Sequence, residues 1–264
     1  MSATTEVMRA LAFRYLPAAL PRLLDAARAD QLSYEAFLQR ALLIEATGKH
    51  HRRVAARAVA GHLPPRQTLD AFDFSFQPSI SERHIRELAT LSFVQTATSV
   101  IFLGPPGVGK THLATALAWC ALDADISVAF TTLARLVEEL ETAQRADALA
   151  ARLRALVRPQ LLVIDEIGYS RLSAKGAQLL FQVVNARYGQ GACILTSNTS
   201  FGEWGSIIRD EVLASAILDR LLHRADVLSI AGQSYRMKDR AAYLQPLSLE
   251  SVPTEKGASS VHPA

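Results

Sequence analysis

Residues Gly104-Pro105-Pro106-Gly107-Val108-Gly109-Lys110-Thr111 match the spacing G-x-x-x-x-G-K-[ST], in which each residue type has a separate chemical duty. Glycines let the backbone turn tightly and aim several N–H groups inward, and the positive end of a following helix adds to that anion nest. Lys110 is placed to reach the β- and γ-phosphates of a nucleotide, and Thr111 to ligate Mg²⁺. His112, next in the run, is counted among the nucleotide-contacting positions, and both it and His223 are expected to be structural and not catalytic. No cysteine, serine or acidic partner is spaced to make either a nucleophilic or metal site. About fifty residues on, Leu161-Leu162-Val163-Ile164 runs into Asp165-Glu166. Asp165 suits Mg²⁺ held through water, and Glu166 suits orienting and polarising an attacking water. Neighbouring side chains on a strand point to opposite faces, so the two carboxylates are not expected to share a role. A third apolar run, Ala192 to Thr196, ends in Ser197-Asn198. Its amide could sit near a γ-phosphate, or could close a turn on its own backbone.

These groups need elements to hold them. Beyond residue 66, apolar or β-branched runs alternate with helical stretches, which argues for a parallel sheet covered by helices. Strands are expected at 100–103, 127–131, 161–165, 192–196 and 227–230. Helices are expected at 81–90, 110–122, 132–143, 147–157, 173–188, 211–223 and 234–241. Ligands of such sheets sit at the carboxyl ends of strands, where all the motifs fall. Before the sheet, apolar residues from Val7 to about Ala60 recur at helical spacing, with Ser33 as a helix start and Gly61 and Pro64-Pro65 as a stop. The organisation expected is a helical N-terminal domain over 1–66, an α/β domain over 67–247 and a disordered tail over 248–264. Between the first two, Phe72, Phe74 and Phe76 alternate, which puts them on one face of an extended segment, to pack under the sheet or line a base pocket.

No run of about eighteen apolar residues is free of charge, and the first residues lack a basic, apolar leader, so a cytoplasmic protein with no membrane span is expected. Cys120 and Cys193 stand in apolar contexts without metal-like spacing and are expected as buried thiols. Charge is uneven. Residues 1–69 carry ten Lys/Arg against five Asp/Glu, while the remainder carries eighteen against twenty. Between Glu45 and Asp70 lie Lys49, Arg52, Arg53, Arg57 and Arg66 with three histidines and no carboxylate. Two readings fit that segment equally: a surface that neutralises nucleic-acid phosphates, or an ordinary solvated helix face.

Phosphate loop, acidic strand end and a strand ending in Asn198, in that order, resemble the AAA+ ATPases. That resemblance gives Asn198 the part of a γ-phosphate sensor and Arg220 the part of an arginine reaching a neighbouring subunit's nucleotide, with Arg224 as the alternative. It makes Arg236 a second sensor acting within its own subunit. More specifically, Leu32-Ser33-Tyr34-Glu35-Ala36-Phe37-Leu38, Phe72-Asp73-Phe74-Ser75-Phe76-Gln77-Pro78, the run GPPGVGKTHLA, the run LLVIDEIGY and Ser234-Tyr235-Arg236 resemble the IstB-type proteins of insertion-sequence transposition, whose family includes the DnaC-type helicase loaders. The resemblance spans about residues 7–240. It implies ATP, Mg²⁺, a homo-oligomer on duplex DNA and a partner transposase, and it favours DNA contact through Lys49, Arg52, Arg53 and Arg57. One departure is Arg14-Tyr15-Leu16-Pro17-Ala18-Ala19, where relatives begin the helical domain with a Leu-Pro-Gly-Met-like run. A helicase loader shares every core motif, and a small-molecule kinase or a scaffold with a vestigial loop would not need Asp165-Glu166 followed by Asn198.

Overall fold

The computed structural model describes residues 3–238. Five strands, β1 (Ser99–Leu103), β2 (Val128–Thr132), β3 (Leu161–Ile167), β4 (Ala192–Ser197) and β5 (Ala225–Ser229), form one sheet in the order β2-β3-β4-β1-β5. Every pairing is parallel, with Val100 opposite Ile194 and Asp226. All five expected strands are present, and the last begins two residues earlier than its apolar run suggests.

The strands read as near-continuous apolar runs because both faces are covered. Val100 and Phe102, Leu161 and Val163, and Ala192 and Ile194 belong to one apolar cluster. Ile101, Leu162, Ile164, Cys193 and Leu195 belong to the other. On the first face lie α4 (Glu82–Leu88), α5 (Ser92–Gln95) and α6 (Lys110–Asp123). Helix α6 is apolar nearly all round, and Leu113, Ala114, Ala116, Leu117, Ala118, Ala121 and Leu122 are fully buried. On the second face lie α7 (Leu133–Arg145), α8 (Leu149–Val157), α9 (Ala174–Arg187), α10 (Trp204–Ile208) and α11 (Glu211–Leu222). The two unexpected helices, α5 and α10, are four and five residues long, too short for a readable period. Tertiary burial sustains α10, through Trp204, Ile207 and Ile208. In place of the helix expected over 234–241, the described part holds one 3₁₀ turn, Tyr235–Met237. Residues 239–241 and the tail over 248–264 lie outside the described residues.

The N-terminal segment is helical, as expected: α1 (Ala3–Ala10), α2 (Leu16–Ala29) and α3 (Tyr34–Ala60). Ser33 caps α3 by accepting the Ala36 N–H at 3.2 Å, and Gly61 follows its end. The first half of α3 packs on α2 through Phe37, Ala41 and Ile44. Its second half places Val54 and Ala58 in the same cluster as the sheet. A single helix of about 40 Å thus serves both apolar cores. Glu45 lies buried on α3, and its carboxylate accepts the N–H groups of Arg14, Tyr15 and Leu16 at 2.8, 2.8 and 2.9 Å. Burial pulls its pKa up, but those three donors and Lys49 outweigh it and hold the carboxyl at about 2. At the entry ends of β3 and β4, the buried Arg187 guanidinium donates to the carbonyls of Leu156 (2.8 Å), Pro159 (2.9 Å) and Ala192 (2.7 Å). It ties the entries of β3 and β4 to the end of α8. Both cysteines are free, Cys193 buried and Cys120 half-buried, and burial raises both thiols above their usual range.

Candidate nucleotide site

Between β1 and α6 the loop 104–109 turns through left-handed backbone. Gly107 has φ 85°, and a Cβ there would meet Ser234 Oγ at 2.0 Å. Gly109, with φ 100°, caps α6 where a Cβ would meet the Phe72 ring at 2.4 Å. These close approaches, as well as the backbone conformation, demand glycine. Pro105 and Pro106 are exposed on the loop, whereas Val108 is fully buried under it, so its contribution to a ligand is limited to the backbone. Lys110 is buried, and its ammonium donates to the carbonyls of Gly104 and Pro105 at 2.7 and 2.8 Å. Burial pushes its pKa down; Asp165 opposes that shift and Arg236 adds to it.

Facing the loop, the buried Asp165 accepts the Thr111 hydroxyl at 3.0 Å and also the Thr196 hydroxyl. Thr196 Oγ1 in turn accepts the Glu166 N–H at 3.1 Å. The pairing of β3 with β4 slips here: Ile164 pairs with Leu195 but Ile167 with Ser197, so two residues oppose one. At this bulge Glu166 takes φ 64°, a backbone that costs a non-glycine residue about 1–2 kcal/mol. Its side chain is exposed on the cleft while Asp165 stays buried, so the two carboxylates do take different places. Outliers of this kind gather at functional sites.

The cleft has a volume of about 460 Å³. Gly107, Gly109, Lys110, Thr111, His112, Glu166, Asn198 and Arg236 all line it. Asn198 Oδ1 is buried and, among the described residues, has no hydrogen-bond partner. His112 Nε2 contacts the Thr68 carbonyl at 2.9 Å, which leaves it as much a tether for the incoming chain as a ligand contact. Arg220 does not line the cleft. Its guanidinium donates to Asn185 Oδ1 at 3.0 Å and lies 4.7 Å from the centre of the Phe181 ring. With Arg224 it borders a separate hollow beside Ala97, Ser99 and Gly191, which lie at the entry ends of the strands.

Several lining residues escape sequence reasoning. Pro64 and Pro65, whose composition points to a linker, form a wall with Gln67, Asp73 and Gln77, joined by Phe72, for which a pocket-lining place is one of the two expected. Phe72 and Phe74 also pack against the sheet's first cluster, and Phe76 stands edge-on to Tyr235 at 5.3 Å. The C-terminal turn is fastened to this wall and to the loop. The Tyr235 N–H donates to the Gly107 carbonyl at 2.9 Å, and Gln77 Nε2 to the Gln233 carbonyl at 2.9 Å. Lys238 pairs with Asp73 at 2.8 Å, which, with the Ser75 hydroxyl, holds that carboxyl far below the usual range. Thr196, which bonds the Asp165 carboxylate and the Glu166 backbone, carries no signal in the sequence beyond its place at a strand end.

The expected basic segment is largely engaged in ion pairs. Arg53 grips Asp125 through Nε and Nη2, both at 2.8 Å, and Arg57 Nη1 reaches the same carboxylate at 2.8 Å. Arg66 pairs with Asp123 and lies 5.2 Å from the centre of the Trp119 ring. Lys49 pairs with Glu45 at 3.3 Å, and Arg52 is exposed.

A parallel sheet in this order, with a phosphate loop after β1, an acidic pair at the end of β3 and a polar end to β4, defines an ATP-binding module of the AAA+ class. Solved structures share this fold. Replication initiator DnaA bound to AMPPCP and single-stranded DNA superposes with a TM-score of 0.55 at 17% identity, over 69% of this chain and 55% of that one. DnaI does so with 0.54 at 19%, over 62% and 91%. Residues 6–242 match the model of the IstB-like ATP binding protein family, and the chain belongs to that family. Among its relatives are the ATP-binding proteins of insertion sequence IS5376 from Geobacillus stearothermophilus and of IS21 from Pseudomonas aeruginosa. The first is 45% identical over 81% of this chain and 85% of its own length, the second 46% over 83% and 82%. Among the described residues no helix is long and apolar enough to cross a membrane, and no group of three His, Cys, Asp or Glu could hold a metal.

Proposed function

We propose that the chain is a Mg²⁺-dependent ATPase that assembles with copies of itself on duplex DNA and recruits or stimulates a partner transposase. The observation that carries the hydrolytic part is the meeting of Thr111 and Asp165 at 3.0 Å beside the exposed Glu166 and the unpartnered Asn198 amide oxygen. A hydroxyl next to a carboxylate is an all-oxygen donor pair that fits Mg²⁺, which when bound would neutralise phosphate charge. The loop amides and Lys110 would bind the β- and γ-phosphates, Lys110 exchanging its two loop carbonyls for phosphate oxygens. Glu166 would orient and deprotonate the attacking water, while Asn198, whose amide N–H₂ is a donor, and Arg236 would contact the γ-phosphate. Because Arg220 lies outside its own cleft, it is assigned to a neighbouring copy's nucleotide, with Arg224 as the alternative in that role. An arginine supplied in this way can be worth roughly 10³- to 10⁵-fold in rate, and it makes turnover depend on assembly.

Relatives named for insertion sequences favour transposition over helicase loading, and a cytoplasmic setting suits that activity. DNA contact is assigned to Lys49, Arg52, Arg53 and Arg57, and the division into a helical unit over 1–66 and an ATPase unit over 67–247 is kept as a functional one. The deciding measurement is ATPase rate against protein concentration, with and without duplex DNA. Specific activity rising along both axes is expected. Activity independent of both would remove trans activation and the DNA partner together.

A further inference from the structure

Helix α6 begins with the phosphate-binding Lys110 and Thr111 and ends in Asp123, followed by Asp125 with φ 63°. Aspartates are unfavourable at the negative end of a helix unless cations cover them, and a left-handed residue there is more easily glycine. Onto this turn converge the arginines of the neighbouring segment. Arg53 presents two N–H groups to the Asp125 carboxylate, and Arg57 Nη1 contacts both that carboxylate and the Asp125 carbonyl, at 2.8 and 3.1 Å. Two carboxylate oxygens and a carbonyl oxygen, held by a forked guanidinium and a second arginine one turn away, present the oxygen pattern that such arginines seek on a phosphate.

We propose that Arg53 and Arg57 form a DNA-phosphate site whose occupant in the free protein is the Asp125 carboxylate, so that the ATPase core masks part of its own DNA-binding surface. The inference rests on the DNA reading above. The pairs are nearly half exposed, with side-chain exposures of 48% for Arg53, 39% for Arg57 and 46% for Asp125. Exposed pairs hold weakly, whereas duplex phosphates gain from counterion release, so exchange favours DNA at low salt. Only side chains need move, since Val54 and Ala58 keep α3 packed on the core.

The test is anisotropy of a labelled duplex titrated with the full chain, ATP and magnesium present. Asp125→Asn is compared with Glu211→Gln, an exposed carboxylate lost from α11, to separate unmasking from a change of net charge. Asp125→Gly, which suits the left-handed backbone, is the second variant should the first fold poorly. Unmasking predicts roughly three- to tenfold tighter binding than Glu211→Gln gives, in line with the small worth of exposed pairs. The gain should vanish in an Arg53→Gln/Arg57→Gln background, which itself binds more weakly than the unaltered chain. An equal gain from Glu211→Gln, or a gain that survives without the two arginines, overturns the inference while leaving DNA binding intact. Failure of the unaltered chain and of both Asp125 variants to bind duplex overturns the DNA reading and the inference with it.

Discussion

Thr196→Val tests whether one buried hydroxyl sets the geometry of both Asp165 and Glu166. The side chain is 1% exposed and nearly isosteric with valine, so the backbone of β4 has little reason to move. What is lost is the donor to Asp165 and the acceptor for the Glu166 N–H at 3.1 Å. A hydrogen bond to a charged partner is worth about 1.5–3 kcal/mol, and an N–H left without its partner at the bulge costs about 1–3 kcal/mol. If half of that disruption falls on the transition state, turnover drops roughly 10- to 100-fold at 1.36 kcal/mol per decade. Neither Lys110 nor the loop amides touch Thr196, so KM for ATP should change little. Steady-state ATPase assays on the valine and serine variants measure this, the serine keeping the hydroxyl and restoring most of the rate. Wild-type turnover in Thr196→Val, or an equal loss in Thr196→Ser, would refute the assignment of Thr196 as the positioning residue.

Glu166→Gln should still bind ATP, because its side chain supports neither loop nor Lys110, but should turn over about 10²- to 10⁴-fold more slowly, as read by nucleotide binding and single-turnover hydrolysis. Glu45 has a folded-state pKa of about 2 against its usual 4.5, so its contribution to stability is complete above pH 4.5 and fades as pH falls through about 2. Thermal unfolding followed across that range should show the fall, and Glu45→Gln, at a cost of about 1.5–3 kcal/mol at neutral pH, should flatten it. Arg187→Met leaves at least three strand- and helix-end carbonyls without their donor and should destabilise by roughly 3 kcal/mol or more, measured by urea unfolding, with the nucleotide cleft unaltered.

The chemistry was more legible in the sequence than the walls around it. Gly104 to Thr111, Asp165, Glu166 and Asn198 stand out because the roles proposed for them depend on residue type at fixed offsets from apolar runs, and a parallel sheet brings all strand ends to one rim. Arg236 also reaches that rim. Arg220 lies at the end of a helix that feeds β5, and in a parallel sheet such a helix finishes at the strand entries, so chain order already sets it at the end away from its own cleft. The Pro64-Pro65 run reads as a linker because composition reports turn propensity and not what the turn packs against. The basic segment reads as a bare positive face because Asp123 and Asp125, which cover it, lie 57 to 72 residues away. Thr196 and Arg187 gain their significance only from hydrogen bonds that the folded chain completes.

The diproline-to-Gln77 wall has a practical corollary for anyone dissecting this chain. Severing it just after residue 66 would spare the phosphate loop, both acidic residues and the sheet, yet remove Pro64 and Pro65 from one flank of the cleft and leave Val54 and Ala58 no longer sealing the sheet's first face. An isolated fragment from residue 67 on would therefore start with a raw apolar seam and a cleft that lacks part of one wall. Feeble nucleotide retention in such a fragment would reflect that amputation and not the intact chain's appetite for ATP.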